Sequence, residues 1–359
     1  MAKKSIDELR IELGGCKVHP IVIQKGGVGK STLTSDICYT LAKKGFKVLA
    51  IDTDPQASLS SLCNIDIEDE EVLGLQDIYE ALDSQFHGLG TRVKYEDLKK
   101  VWYEDDGNGG NLKAPTYTKP IKDGNKLVNK HIPFGFDIIP ANINLADWDL
   151  RLAQSQGGML LSALIALIKR NDDYDFIIMD NPPGLNSLSY NSIAAGVDGC
   201  IIPINLEPMT IRGAQNLINT TTEIQNILWF ETEDGQITDR VKKHAICHKG
   251  ILGVIKNQYA PRLKIQKRFE DVVKKFFPIP CFETTIPNKT VCDTAHDLGR
   301  LYSEYDSKVG KVFEALVDEI IAEDIRRANE KEPVFVESFG EEIWEEINAN
   351  KDGGDVNEQ

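Results

Sequence analysis

With 359 residues, 41 Lys+Arg against 56 Asp+Glu and 41% hydrophobic content, the chain has material for one large α/β domain with additions or for two ordinary domains, and intrinsic disorder is excluded for most of its length. The longest apolar stretch, Met159 to Ile168, falls well short of the about 20 residues that cross a bilayer, and the charged opening MAKKSIDELR lacks a signal-peptide core, so a cytoplasmic protein without a membrane span is expected. Seven scattered cysteines without a C-x-x-C pair indicate neither a disulfide framework nor a zinc or iron–sulfur site.

Residues 1–16 form an N-terminal extension. From Lys17 to Ala50 an apolar run (VHPIVI), a glycine-rich turn, an amphipathic helix over Lys30–Lys44, Gly45 as a stop and a second apolar run (KVLAID) make a strand–loop–helix–strand unit. Pro20 lacks a strand donor and is tolerable mainly at the start of the first strand. Residues 64–133, dense in charge, Gly and Asn, read as an inserted surface subregion, partly helical near Gly74–Leu82 and loop-rich afterwards. The alternation then resumes with strands at Phe136–Pro140, Tyr174–Asp180, Asp198–Pro203 and Gly250–Ile255, and helices at Met159–Arg170, Asn186–Ala195 and Met209–Leu228. Ile- and Val-rich runs without polar alternation indicate strands buried on both faces, hence an α/β fold with a mainly parallel sheet and helices on both faces. Residues 330–359 are strongly acidic and predict a short helix, Val336–Ile347, followed by a disordered tail.

The segment Gln24-Lys25-Gly26-Gly27-Val28-Gly29-Lys30-Ser31-Thr32 lies between a predicted strand and a predicted helix. Its glycines let successive backbone N–H groups turn toward phosphate oxygens, and the helix N-terminus adds its positive dipole end. Lys30 is placed to reach the β- and γ-phosphates of ATP and Ser31 to ligate Mg²⁺. The ordinary phosphate-loop pattern has glycine where Gln24 stands, and Lys25 beside it is an extra cation. At the next strand end, Asp52-Thr53-Asp54-Pro55-Gln56 directs two carboxylates toward the same edge of the sheet. Tyr174 to Asp180, followed by Asn181-Pro182-Pro183-Gly184, has the Walker B form, a buried strand ending in an aspartate that holds Mg²⁺ through water.

These three segments together resemble the deviant Walker A ATPases of the ParA/MinD family, over about Lys17 to Ile320 apart from the insertion. The resemblance implies a P-loop NTPase domain spanning 17–329. It makes Lys25 the signature lysine that crosses to a partner subunit's nucleotide, so that two ATP molecules are sandwiched in a homodimer. It makes Asp54 the residue that orients the attacking water and Asp52 a support for the Mg²⁺ shell. Asn257, at the end of a strand, matches an adenine-contacting position, and Pro287 belongs to a segment near the base, although Asn288 stands where relatives have arginine and Ile23 where they commonly have asparagine.

Between Arg240 and Lys275 eleven Lys or Arg face two acids, a local basic zone on an acidic chain and a plausible phosphate-backbone footprint. Its expected DNA contacts are Arg262, Lys264, Lys267, Arg268, Lys274 and Lys275; the competing reading is a solvated helix face. By resemblance to ParA/Soj-type relatives the expected function is partition: an ATP dimer on non-specific DNA, nucleoid-associated, stimulated by a ParB-like centromere-binding protein. A MinD-like membrane positioner is disfavoured by the acidic C-terminus, a metal-cluster ATPase by the unpaired cysteines, and a tyrosine autokinase by the lack of tyrosines beyond Tyr305.

Overall fold

The computed structural model describes residues 4–69, 71–88, 92–123, 126–154, 159–228, 249–260, 264–277, 279–288 and 291–329. The expected helix at 336–347, the acidic tail and Arg262 lie outside the described residues.

A seven-stranded sheet forms the centre. Its strands are β1 (Lys17–Ile21), β2 (Val48–Asp52), β5 (Asp137–Ile139), β6 (Phe176–Asp180), β7 (Cys200–Ile204), β8 (Ile251–Tyr259) and β9 (Cys281–Pro287), in the order β5-β2-β6-β1-β7-β8-β9. Every pairing in it is parallel. β1 is thus central, and the carboxyl ends of β1, β2 and β6 lie side by side, bringing the three motifs to one edge.

Alternate residues of each strand enter opposite cores. Phe176 and Ile178 pack with Val48 and Ala50 against α2 (Lys30–Lys43) and α13 (Ser307–Arg327). Ile177 and Met179 pack with Leu49 and Ile51 against α4 (Leu75–Phe86) and α7 (Leu160–Asn171). A third cluster joins Ile202, Ile204 and Val254 to Ile211 and Leu217 of α9 (Pro208–Leu228) and Val273 of α10 (Lys264–Phe276). Burial on both faces is what the unbroken Ile/Val runs required.

Pro20 sits inside β1, not at its start, opposite Met179 of β6. It is tolerated because pairing with β7 begins only at Ile21, so no ladder bond is lost at Pro20. Gly196 lies over the ring there, where a Cβ would stand 2.6 Å from Pro20 Cδ.

Several elements go beyond the sequence reading. α1 (Ile6–Leu13) opens on a capping box between Ser5 and Glu8. α3 (Ser58–Leu62) follows the Asp52–Gln56 segment. In residues 64–133, α4 runs to Phe86, α5 spans Tyr95–Lys99, and the stretch expected to be loop folds into an antiparallel hairpin, β3 (Thr116–Asp123) with β4 (Lys126–Pro133). Leu75, Ile78, Tyr79, Leu98 and Trp102 are buried, so this region contributes to the core as well as to the surface. The remaining helices are α6 (Ala146–Gln154), α8 (Ser187–Ala195), α11 (Val291–Asp297) and α12 (Tyr302–Tyr305).

Candidate nucleotide site

The loop between β1 and α2 turns on Gly27 and Gly29, whose φ values of 74° and 75° are in the left-handed region that glycine enters without penalty. Gly29 caps α2 without a side-chain hydrogen bond, and no acidic residue stands in the first turn. The N–H groups of that turn are therefore available to an anion. They open on a cavity of about 660 Å³ lined by Gly26, Gly27, Gly29, Lys30, Ser31 and Thr32, and opposite them by Asp54, Gln56 and Pro183.

Two side chains from β8 brace the loop from behind. Asn257 Nδ2 donates to the Val28 carbonyl at 2.7 Å, and Gln258 Nε2 to the Gly27 carbonyl at 3.1 Å. A Cβ on Gly29 would stand 2.9 Å from Asn257 Nδ2. Asn257 and Pro287 also line a smaller cavity of about 140 Å³, with Thr32, Leu33, Tyr302 and Phe313.

Charge is concentrated at the carboxylate edge. Lys30 is buried, which lowers its pKa, while the Asp180 and Asp54 carboxylates favour its charged form. Asp180 is fully buried; burial raises its pKa, and Ser31, Lys30 and Thr34 act against that rise. Thr34 Oγ1 lies 3.4 Å from its Oδ1, and its Oδ2 has no hydrogen-bond partner among the described residues. An orphaned buried carboxylate oxygen beside a serine hydroxyl and a phosphate loop is a donor set that fits Mg²⁺ shared with a nucleotide.

Asp52 and Asp54 diverge. Asp52 is directed at its own chain: Oδ1 accepts from Asp54 N at 3.1 Å, and Oδ2 from Ser60 N at 2.9 Å and Ser60 Oγ at 2.8 Å. Burial and the neighbouring Asp180 raise its pKa. Asp54 faces the cavity, and its Oδ1 accepts from Gln56 N at 2.9 Å. Lys25 points out of the cavity to Glu207, with Nζ 2.5 Å from Oε2.

Behind these groups lies a buried polar pair, Thr53 and Asn181, that no local sequence pattern marks. Thr53 Oγ1 donates to the Asp180 carbonyl at 2.7 Å and lies 3.0 Å from Asn181 Oδ1, while Asn181 Nδ2 donates to Ile21 O at 3.2 Å. Together they tie the ends of β1, β2 and β6. His296 and Gly299, also missed, close the far wall of the larger cavity; being distant in sequence, they carried no local signal.

The six DNA candidates are not gathered here. Arg262 and the side chains of Lys264 and Arg268 lie outside the described residues, and Lys267, Lys274 and Lys275 are exposed on α10. Internal acids neutralise part of the zone. Buried Lys256 pairs with Glu270 at 2.9 Å, and Lys274 with Glu270 at 3.3 Å and Glu283 at 3.2 Å. Among the described residues no helix is long and apolar enough to cross a membrane.

The AAA domain family matches residues 16–231. Over 292 residues the chain is 30% identical to an uncharacterized protein of Methanocaldococcus jannaschii, covering 81% of this chain and 92% of the other. It is 27% identical over 309 residues to the sporulation initiation inhibitor protein Soj of Bacillus subtilis, covering 85% and 98% respectively. Among solved structures, cobyrinic acid a,c-diamide synthase from Mycobacterium smegmatis with bound ATP analog and magnesium superposes with a TM-score of 0.57 at 20% identity, over 89% of this chain and 100% of that one. That likeness extends to the fold.

Proposed function

The chain belongs to the AAA domain family, within its ParA/MinD group of P-loop ATPases, and from that premise we propose that it is a slow, Mg²⁺-dependent partition ATPase that dimerises on ATP, binds DNA without sequence preference and is stimulated by a ParB-like centromere-binding partner. The observation that carries this reading is the division of labour between two lysines on one loop. Lys30 is buried in the cavity, whereas Lys25 leaves it for Glu207 at the surface.

In the proposed cycle the N–H groups of the loop and of the first turn of α2 bind the phosphates of ATP, and Lys30 neutralises the β- and γ-oxygens. Ser31 and Asp180 would hold Mg²⁺, which when bound offsets phosphate charge. Asp54 orients the attacking water from the opposite wall. Lys25 exchanges Glu207 for the partner subunit's nucleotide. Exposed Ile143, Leu150, Tyr190 and Met209 support that exchange, because they follow the carboxyl ends of β5, β6 and β7 at the edge that bears the loop, where a second copy would cover them. Hydrolysis is slow alone because Asp54 is fixed by its own turn through Gln56 N until a partner engages. A nucleoid-associated cytoplasmic location belongs to the same reading.

The test is a mobility shift of random-sequence duplexes by the full chain with Mg-ATP and with Mg-ADP. Retardation with ATP alone is expected; equal retardation with both nucleotides, or none with either, would contradict the proposal.

A further inference from the structure

A single carboxylate joins the helix of the phosphate loop to the opposite wall of the nucleotide site. Asp36 stands on α2, one turn beyond Thr32, and is fully buried. Its Oδ1 accepts from Ser303 N at 2.6 Å. Ser303 is the second residue of α12, whose own N-cap, Leu301, has no side-chain oxygen and makes no capping bond. The cap that a helix ordinarily takes from the residue before it is supplied here by another helix.

The segment that Asp36 holds borders both cavities. Gly299 lines the larger one, and Tyr302 lines the smaller one together with Asn257 and Pro287. Gly29 and Thr32 face both, so a nucleotide whose phosphates lie on the loop continues into the smaller cavity with its ribose and base. Tyr302 Oη donates to Pro287 O at 3.5 Å, which ties the same segment to the end of β9. The joint is unfavourable in itself. Asp36 Oδ2 and Ser303 Oγ are buried without a hydrogen-bond partner among the described residues, in surroundings built from Leu33, Ile37, Leu301 and Phe313. An apolar contact would join the two elements without that penalty. Burial pushes the Asp36 carboxyl up to about 7, with Ser303 and the Tyr302 N–H acting against the rise. The titratable groups facing it are Cys38 and Tyr39 of α2, Cys63 behind α3, Cys292 of α11 and Tyr302, each raised by its own burial and so neutral.

We propose that Asp36 is a positioning residue for the nucleotide: by capping α12 from α2 it sets the width of the slot between the phosphate loop and the Gly299–Tyr302 wall, and so governs the ribose and base side of binding. The inference rests on the ATPase reading and adds to it a residue outside the three motifs.

The experiment is calorimetric titration of the full chain at pH 6 with Mg-ATP and with inorganic tripolyphosphate, for the parent, Asp36→Asn, Asp36→Ala and Asp36→Leu. Asparagine keeps the acceptor oxygen and the uncharged state that the acid mostly has about one unit below its pKa, so it should match the parent for both ligands. Alanine and leucine leave the Ser303 N–H without its acceptor and should weaken ATP by about 10-fold, with tripolyphosphate within twofold of the parent. Leucine fills the space of the carboxyl, which keeps the test open where alanine does not fold. Equal weakening of both ligands, parental ATP affinity in the alanine and leucine variants, an asparagine variant as weak as alanine, or failure of both apolar variants to fold would make Asp36 a structural residue and overturn the proposal. A parent that binds neither ligand would overturn the ATPase reading, and the proposal with it.

Discussion

Replacing Asn257 by alanine separates two roles for this residue. The family resemblance makes it an adenine contact, whereas the structure places its amide on the phosphate loop, donating to Val28 O at 2.7 Å. Both partners are nearly inaccessible, Asn257 at 6% and Val28 at 0% exposure. Truncation leaves a buried carbonyl without its donor, which costs about 1–3 kcal/mol. If that cost is borne by the order of the loop that the nucleotide must restore, the dissociation constant rises roughly 5- to 150-fold. Calorimetric titration with ATP, ADP and inorganic tripolyphosphate distinguishes the roles, because a loop brace affects every ligand that carries the phosphates and a base contact affects only the adenine nucleotides. Gln258→Ala, removing the longer and more exposed bond to Gly27 O, should weaken binding less. Tripolyphosphate binding within twofold of the parent, alongside weakened ATP, would refute the brace.

Asp54→Ala should keep ATP affinity and lower single-turnover hydrolysis by about 100-fold or more, read by phosphate release; an unchanged rate removes Asp54 from catalysis. Gly29→Ala imposes a left-handed φ of 75° on a residue with a Cβ and a 2.9 Å approach to Asn257 Nδ2, so its melting temperature and nucleotide affinity should both fall; parental values for both would contradict the loop geometry. His19 is buried between Gly199 O at 2.8 Å and Asp324 Oδ2 at 3.0 Å. Burial opposes its charge, but the Asp324 carboxylate prevails and its pKa is raised; burial also raises that of Asp324, with His19 acting against it. Both directions mean that the folded state holds more protons, so this stabilisation is present below the ordinary histidine value and is lost as pH rises through the raised one. Asp198, whose charge also faces the ring, is held ionised by Lys169 and Lys17 against its own burial. Urea unfolding at pH 6 and pH 9 should therefore show a smaller loss for Asp324→Asn than for the parent, by up to about 1.4 kcal/mol per pH unit; identical slopes would reject the linkage.

What the sequence disclosed follows the range of the forces involved. The phosphate loop was legible because its chemistry is local: Gly27 and Gly29 are the residues whose φ values require glycine, and they adjoin the lysine and serine they serve. The buried strands were legible because burial on both faces leaves an unbroken apolar run. β9 was missed because its pattern, CFETTIP, mixes one buried edge-strand face with polar residues. The hairpin was missed because charge density suggests loop, although the sequence Gly124-Asn125 between the two strand ranges is a hairpin-turn signal. α1 could have been found from Ser5 and Glu8 at capping-box spacing with Gly14 behind them. A formal sum of charge over the basic zone cannot register that Lys256 is buried against Glu270. For Asn257 only the structure supplies the bond to Val28 that suggests a brace.

The ATP-dependent dimer is the claim on which DNA binding and the role of Lys25 both depend. Light scattering on a sizing column, run on Asp54→Ala so that hydrolysis does not deplete the ligand, measures it directly. About twice the 40.0 kDa chain mass is expected with Mg-ATP, the single-chain mass with Mg-ADP, and the single-chain mass with both nucleotides once Lys25→Ala is added. A single-chain mass at saturating Mg-ATP, or a dimer that forms equally well without Lys25, would contradict it.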